Sequence, residues 1–297
     1  MGCTNVPNDR DDELLKQARE GKFSQPDPEM LKEVMPEIRE VIEKKMKEIR
    51  RLEQPRRERV MRLIESGKEI NKVSPEGIGK DIKVYKVIGT YPVEIKNFSN
   101  SWLKSNDEVA SLLEKLPQIG HLAYEEIKYT GTLETVLNEE GKIGAIAGEA
   151  TPEESGRASI RINEHHPDIL LSESESEQLN PQQIEQKMKV KEMETICHEY
   201  AEGVWRELTI LEGERSQWRS LYWNTHVEKG RYVSECASKT AREDFCECSA
   251  WFFIAPEKLK NIDETKYNFL KDFYSSLENE SRYLEKELSK NKGGGKK

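Results

Sequence analysis

The residues with the clearest chemical potential lie in Thr195-Ile196-Cys197-His198-Glu199-Tyr200-Ala201-Glu202-Gly203. Side chains four apart on a helix stack on one face, so His198 and Glu202 share a face and Glu199 is turned by one residue toward the same cleft. This HExxE spacing has the geometry of HExxH, where two His side chains bind zinc and the Glu is general base toward water on the metal. The chain holds 56 Asp and Glu and only 5 His. At that acidity chance places both carboxylates beside a His in roughly one such chain in five, so a solvated acidic helix face is the alternative from spacing alone.

A second segment, Tyr232 to Phe253, adds weight. It carries Glu243 and Glu247 four apart on one predicted helical face, with Phe245, Trp251 and Phe252 available for packing. A glutamate from a downstream helix is what a His/Glu zinc site needs as its third ligand. Here the chain resembles the zincin metallopeptidases of the anthrax lethal factor type and related phage and bacterial zinc peptidases, over roughly its last hundred residues. In those, HExxH is followed by a segment like SxYAxTNxxEDFAExFA, which matches Ser234-Glu235-Cys236-Ala237-Ser238-Lys239-Thr240-Ala241-Arg242-Glu243-Asp244-Phe245-Cys246-Glu247. The resemblance implies His198 as first metal ligand, Glu243 as a further ligand, Glu199 as the base and Glu247 as a supporting carboxylate.

Two departures from the family pattern fall on functional positions. Glu202 stands where the second zinc His belongs, giving a His198/Glu202/Glu243 ligand set, and Cys236 stands where a Tyr steadies the developing oxyanion. Two carboxylates neutralise Zn²⁺, weaken it as a Lewis acid and shift preference toward Mn²⁺ or Mg²⁺. The Cys236 thiol is a short, weak donor, and losing an oxyanion donor costs about 10²–10³ in rate. As a thiolate, Cys236 could instead bind the metal and replace the missing His. The expected function is a zinc-dependent metallopeptidase of reduced activity acting on a peptide or protein substrate. The alternative is an inactive pseudo-peptidase serving as an interaction module.

Other candidates carry less. Adjacent His165 and His166 point different ways and read as a surface loop after a strand, while His121 and His226 are isolated. Cys246 and Cys248 are about 200° apart on a helix and cannot share one metal, so they read as small buried residues beside the site. No His has a Glu three residues before it, as di-iron carboxylate sites require, and the only glycine cluster is Gly293–Gly295.

These residues need elements to hold them. Asn180-Pro181 is a cap and first-turn pair for a long helix over about 182–208, more helix follows at about 242–253, and an amphipathic helix at about 264–288. Alternation predicts strands at Ile82–Ile88 and Ala158–Ile162, with others at 126–129, 132–137 and 143–147, and one helix at 107–116. A Trp/Tyr-bearing segment lies at 217–222 and a Ser/Glu-rich loop at 172–178. The fold class expected is α+β, zincin-like, with a small sheet packed on the metal-bearing helices and an N-terminal helical segment; Ala158–Ile162 is the expected edge strand for substrate. The expected divisions are a polar arm and amphipathic helices over 1–75, the metallopeptidase-like domain over 76–289 and a flexible tail over 290–297.

Bulk properties narrow the partners. A net charge of −9 opposes nucleic acid and anionic membranes, and no apolar run approaches a transmembrane segment. Helices within residues 30–66 could mediate assembly. Charge and five scattered cysteines favour a reducing, cytoplasmic setting, with lipid anchoring at Gly2 or Cys3 as the other option for the Met1-Gly2-Cys3 start.

Overall fold

The computed structural model describes residues 82–87, 91–132, 135–137, 143–152, 157–165, 167, 171, 178–208, 211–225 and 232–293. The arm and helical segment read from residues 1–75, most of the Ser/Glu-rich loop, His166, His226 and residues 294–297 lie outside the described residues.

The architecture is α+β, a small mixed sheet with mostly helices around it. Strands β1 (Ile82–Val87), β2 (Tyr91–Lys96), β3 (Tyr124–Tyr129), β6 (Gly148–Pro152) and β7 (Ala158–Ile162) form one sheet in the order β1-β2-β3-β7-β6. The two outer pairs are antiparallel, while β2, β3 and β7 run parallel. Strands β4 (Thr135–Leu137) and β5 (Ile143–Ala145) make a separate antiparallel ribbon. One face of these strands is sealed, with Val93, Ile95, Ile127, Ile160 and Ile162 all buried, while the other carries Glu94, Lys128 and Arg161, which stay partly exposed.

The order corrects one expectation. Ala158–Ile162 is not an edge strand, because it lies between β3 and β6; the edge beside it is β6.

Helix α1 spans Asn106–Leu113 and is capped by Ser105, whose Oγ accepts the Glu108 amide at 3.2 Å. Helix α2 spans Pro181–Gly203. Its start is the predicted one: Asn180 Oδ1 accepts the Gln183 amide at 3.0 Å, the Gln183 side chain accepts the Asn180 amide at 2.9 Å, and Pro181 opens the helix. Its α-helical part ends at Gly203, and a π-helical turn at Val204–Leu208 carries it to the predicted end.

Helices α3 (Leu211–Asn224), α4 (Ala241–Ile254), α5 (Pro256–Ile262) and α6 (Glu264–Gly293) complete the described chain. The Trp/Tyr-bearing segment is therefore helical, and the last helix runs past the expected start of the tail at 290. None of the helices among the described residues is long and apolar enough to cross a membrane.

Packing concentrates where α2 meets α4, with β6 and β7 also resting on α2. Phe245 of α4 anchors an aromatic cluster, with Trp205 and Trp218 ring centres 5.0 and 5.3 Å away and Phe273 of α6 at 5.7 Å. Beside it Lys266 of α6 reaches Asp244 of α4 at 2.7 Å, both side chains being almost fully buried. Tyr124 of β3 ties the sheet to the end of α2: its hydroxyl bonds the carbonyls of Glu199 and Tyr200 and accepts the Gly203 amide at 2.6 Å. The Tyr200 carbonyl also takes the Val204 amide, whereas the Gly203 amide turns to the phenol, so a side chain from the sheet bridges the last turn of α2 between Gly203 and the Glu199 carbonyl.

Candidate metal centre

A cleft of about 600 Å³ opens between the β6 edge and the facing helices α2 and α4, with His198, Glu199, Glu202, Cys236, Glu243 and Glu247 in its wall. The two sequence segments, some forty residues apart, are thus brought to one place. The helix register explains it: α4 is capped by Thr240, whose Oγ1 accepts the Glu243 amide at 3.1 Å, so Glu243 sits in the first turn and Glu247 one turn on.

His198 is held between two carboxylates. Its Nδ1 lies 2.8 Å from Glu247 Oε1, and its Nε2 is 3.5 Å from Glu243 Oε2. Burial disfavours the charged imidazole, but the hydrogen bond to Glu247 and the charges of Glu199, Glu247 and Glu243 outweigh it and push its pKa up to about 9. Glu247 responds in kind. Burial would raise it, yet His198 and a bond from Ser234 hold its pKa below the usual carboxylate range.

Glu199 is buried, and its Oε2 has no hydrogen-bond partner among the described residues. Burial, with the charges of Glu202, Glu243 and Glu149 acting against the relief from His198, pushes its pKa to about 7. A carboxyl poised near neutrality is matched to taking and returning a proton.

Cys236 Sγ donates to Glu243 Oε2 at 3.4 Å. Burial and the charges of Glu243 and Glu247 push this thiol to about 12, so with these neighbours it is a thiol, not a thiolate.

Glu202 faces a different partner. Arg242 places NH1 3.3 Å from Glu202 Oε1 and NH2 3.0 Å from Glu243 Oε1. Among the described residues no three His, Cys, Asp or Glu side chains are arranged to hold a metal ion. The donor chemistry fits one in part: His198 Nε2 and Glu243 Oε2 face each other with His198 oriented from behind, and Glu202 is turned to the guanidinium.

Two cleft features were not expected from sequence. Gly148, the first residue of β6, lies against α2 so closely that a Cβ there would stand 2.7 Å from Thr195 Cγ2 and 3.2 Å from Glu199 Oε1. His165 is buried, not on a surface loop. Its Nδ1 meets the Asn163 carbonyl at 3.0 Å and its Nε2 meets Thr195 Oγ1 at 2.9 Å, which fastens the chain leaving β7 to α2. His121 is also buried, with Nε2 3.0 Å from the Leu113 carbonyl, and Cys246 and Cys248 are buried as expected. No protein-family model, curated protein or solved structure matches this chain.

Proposed function

We propose that this chain is a zincin-like, metal-dependent peptidase of reduced activity. The observation that carries the reading is the join of Glu199 to an oriented histidine: a buried carboxyl near neutral pKa stands next to His198, whose Nδ1 is fixed by Glu247 and whose Nε2 faces Glu243.

His198, Glu243 and Glu202 would hold the metal, zinc first and manganese or magnesium as the oxygen-rich alternatives. When bound, the ion supplies Lewis acidity toward the scissile carbonyl and acidifies attacking water. Glu199 takes the proton from that water and returns it to the leaving amine. Glu247 keeps His198 in the tautomer that presents Nε2. The side of β6 that has no strand partner among the described residues, beside Glu199, is the place for an extended substrate to add as a strand. Cys236, beside Glu243, is the weak donor at the oxyanion position.

The test is metal content by mass spectrometry on the purified protein and on Glu243→Ala after dialysis against dilute zinc, followed by cleavage of a peptide library. About one zinc per chain that is lost in Glu243→Ala, with cleavage lost in Glu199→Gln, supports the reading; absence of metal in both proteins refutes it.

One observation favours a second reading, a pseudo-peptidase acting as an interaction module. Arg242 already satisfies both Glu202 and Glu243. On that reading the unaltered protein cleaves nothing, and Glu202→His with Cys236→Tyr creates cleavage; turnover by the unaltered protein that disappears in Glu199→Gln sinks it.

A further inference from the structure

Arg242 is the second residue of α4, in the first turn, where the helix dipole disfavours a cation. Its own position gives it no local reason to be positive. What holds it is across the cleft rim: NH1 reaches Glu202 of α2 and NH2 reaches Glu243 of α4, so one planar guanidinium spans two helices. The two contacts differ in effect. Glu243 gives Arg242 only Oε1 and keeps Oε2 toward His198 Nε2, whereas the contact with Glu202 holds Oε1 of that carboxylate on the guanidinium.

We propose that Arg242 is a resident counter-cation that competes with a divalent metal ion for Glu202, so that metal loading requires the guanidinium to leave. The inference rests on the reading of His198, Glu202 and Glu243 as the donor set. The arginine side chain is half exposed, which leaves it free to swing into solvent without opening the core. An always-charged residue is suited to this task, because it cannot vacate by losing a proton. With Arg242 docked, two donors face each other; with it released, Glu202 becomes available as the third.

The test is zinc affinity by competition with a chromogenic chelator, on the full chain and on Arg242→Gln. Removing a neighbouring cation and freeing a donor should tighten zinc binding by about ten-fold or more. Glu202→Gln placed in the Arg242→Gln background should abolish that gain. Equal or weaker affinity in Arg242→Gln overturns the proposal while leaving a zinc site in place, as does a gain that persists without Glu202. Zinc uptake by neither protein overturns the donor set and the proposal with it. Because Arg242 is half exposed and sits against the helix dipole, Arg242→Gln should keep its fold, and circular dichroism of the variant checks this.

Discussion

Glu247 Oε1 lies 2.8 Å from Nδ1 of His198, one helix orienting the imidazole of another. Partners of this kind behind a metal-binding histidine are worth about 10–100-fold in affinity. Glu247→Gln keeps the size but loses the charge, so zinc affinity by chelator competition should fall within that range while the circular dichroism spectrum stays unchanged. Unaltered affinity would remove Glu247 from the site.

Gly148 and Gly213 should respond to alanine with opposite signs. At Gly148 the added methyl meets Thr195 at 2.7 Å and Glu199 at 3.2 Å, and overpacking of this kind costs about 1–3 kcal/mol. At Gly213, inside α3 and exposed, the methyl meets nothing within 4 Å. There alanine should stabilise by about 0.5–1 kcal/mol through helix propensity. Urea unfolding of the two variants distinguishes them, and equal shifts would contradict the close approach of β6 to α2.

Asp244 and Lys266 form a buried pair, and Asp244 Oδ2 has no further partner among the described residues. Lys266→Met strands the carboxylate and should cost about 3–5 kcal/mol in chemical denaturation. Asp244→Leu combined with Lys266→Met should regain most of that loss, because no uncompensated group is left.

Glu192 predicts a pH dependence away from the cleft. Its Oε2 accepts the Leu103 amide at 2.8 Å and its Oε1 has no partner among the described residues. Burial, acting against its backbone hydrogen bonds, raises its pKa from 4.5 to about 7. The folded state therefore binds the extra proton between those two values, and stability falls as pH rises from about 4.5 to 7. The loss is on the order of 3 kcal/mol, and Glu192→Gln should flatten it in urea titrations at a series of pH values. An unchanged slope would exclude Glu192 as its source.

What was legible in the sequence follows from what is local. His198, Glu199, Glu243 and Glu247 are set by spacing along two helices, and both segments are helical where expected. The Asn180 cap is likewise a local pattern. Strand β6 was not separable, because Gly148-Glu149-Ala150-Thr151-Pro152 has no alternation and owes its form to pairing with β7. Strand β2 was hidden by Pro92, which reads against a strand. Nothing in the sequence singles out Arg242, because it is the crossing of α2 and α4 that brings Glu202 within its reach, a relation no single stretch of chain encodes. The burial of His165 is of the same kind, since it depends on Thr195 of another element.

One side of β6 has no strand partner among the described residues, and this bears on solution behaviour. An unpaired strand edge is a template for any extended chain, including another copy of the same protein, and such edges invite ordered self-association. This one is guarded: it is five residues long, carries the charge of Glu149 near its start and ends at Pro152, which has no amide proton to offer. A partner must therefore be short, and it meets Glu149 already paired with Arg161. A short strand that ends in proline gives little length for a second copy to extend along.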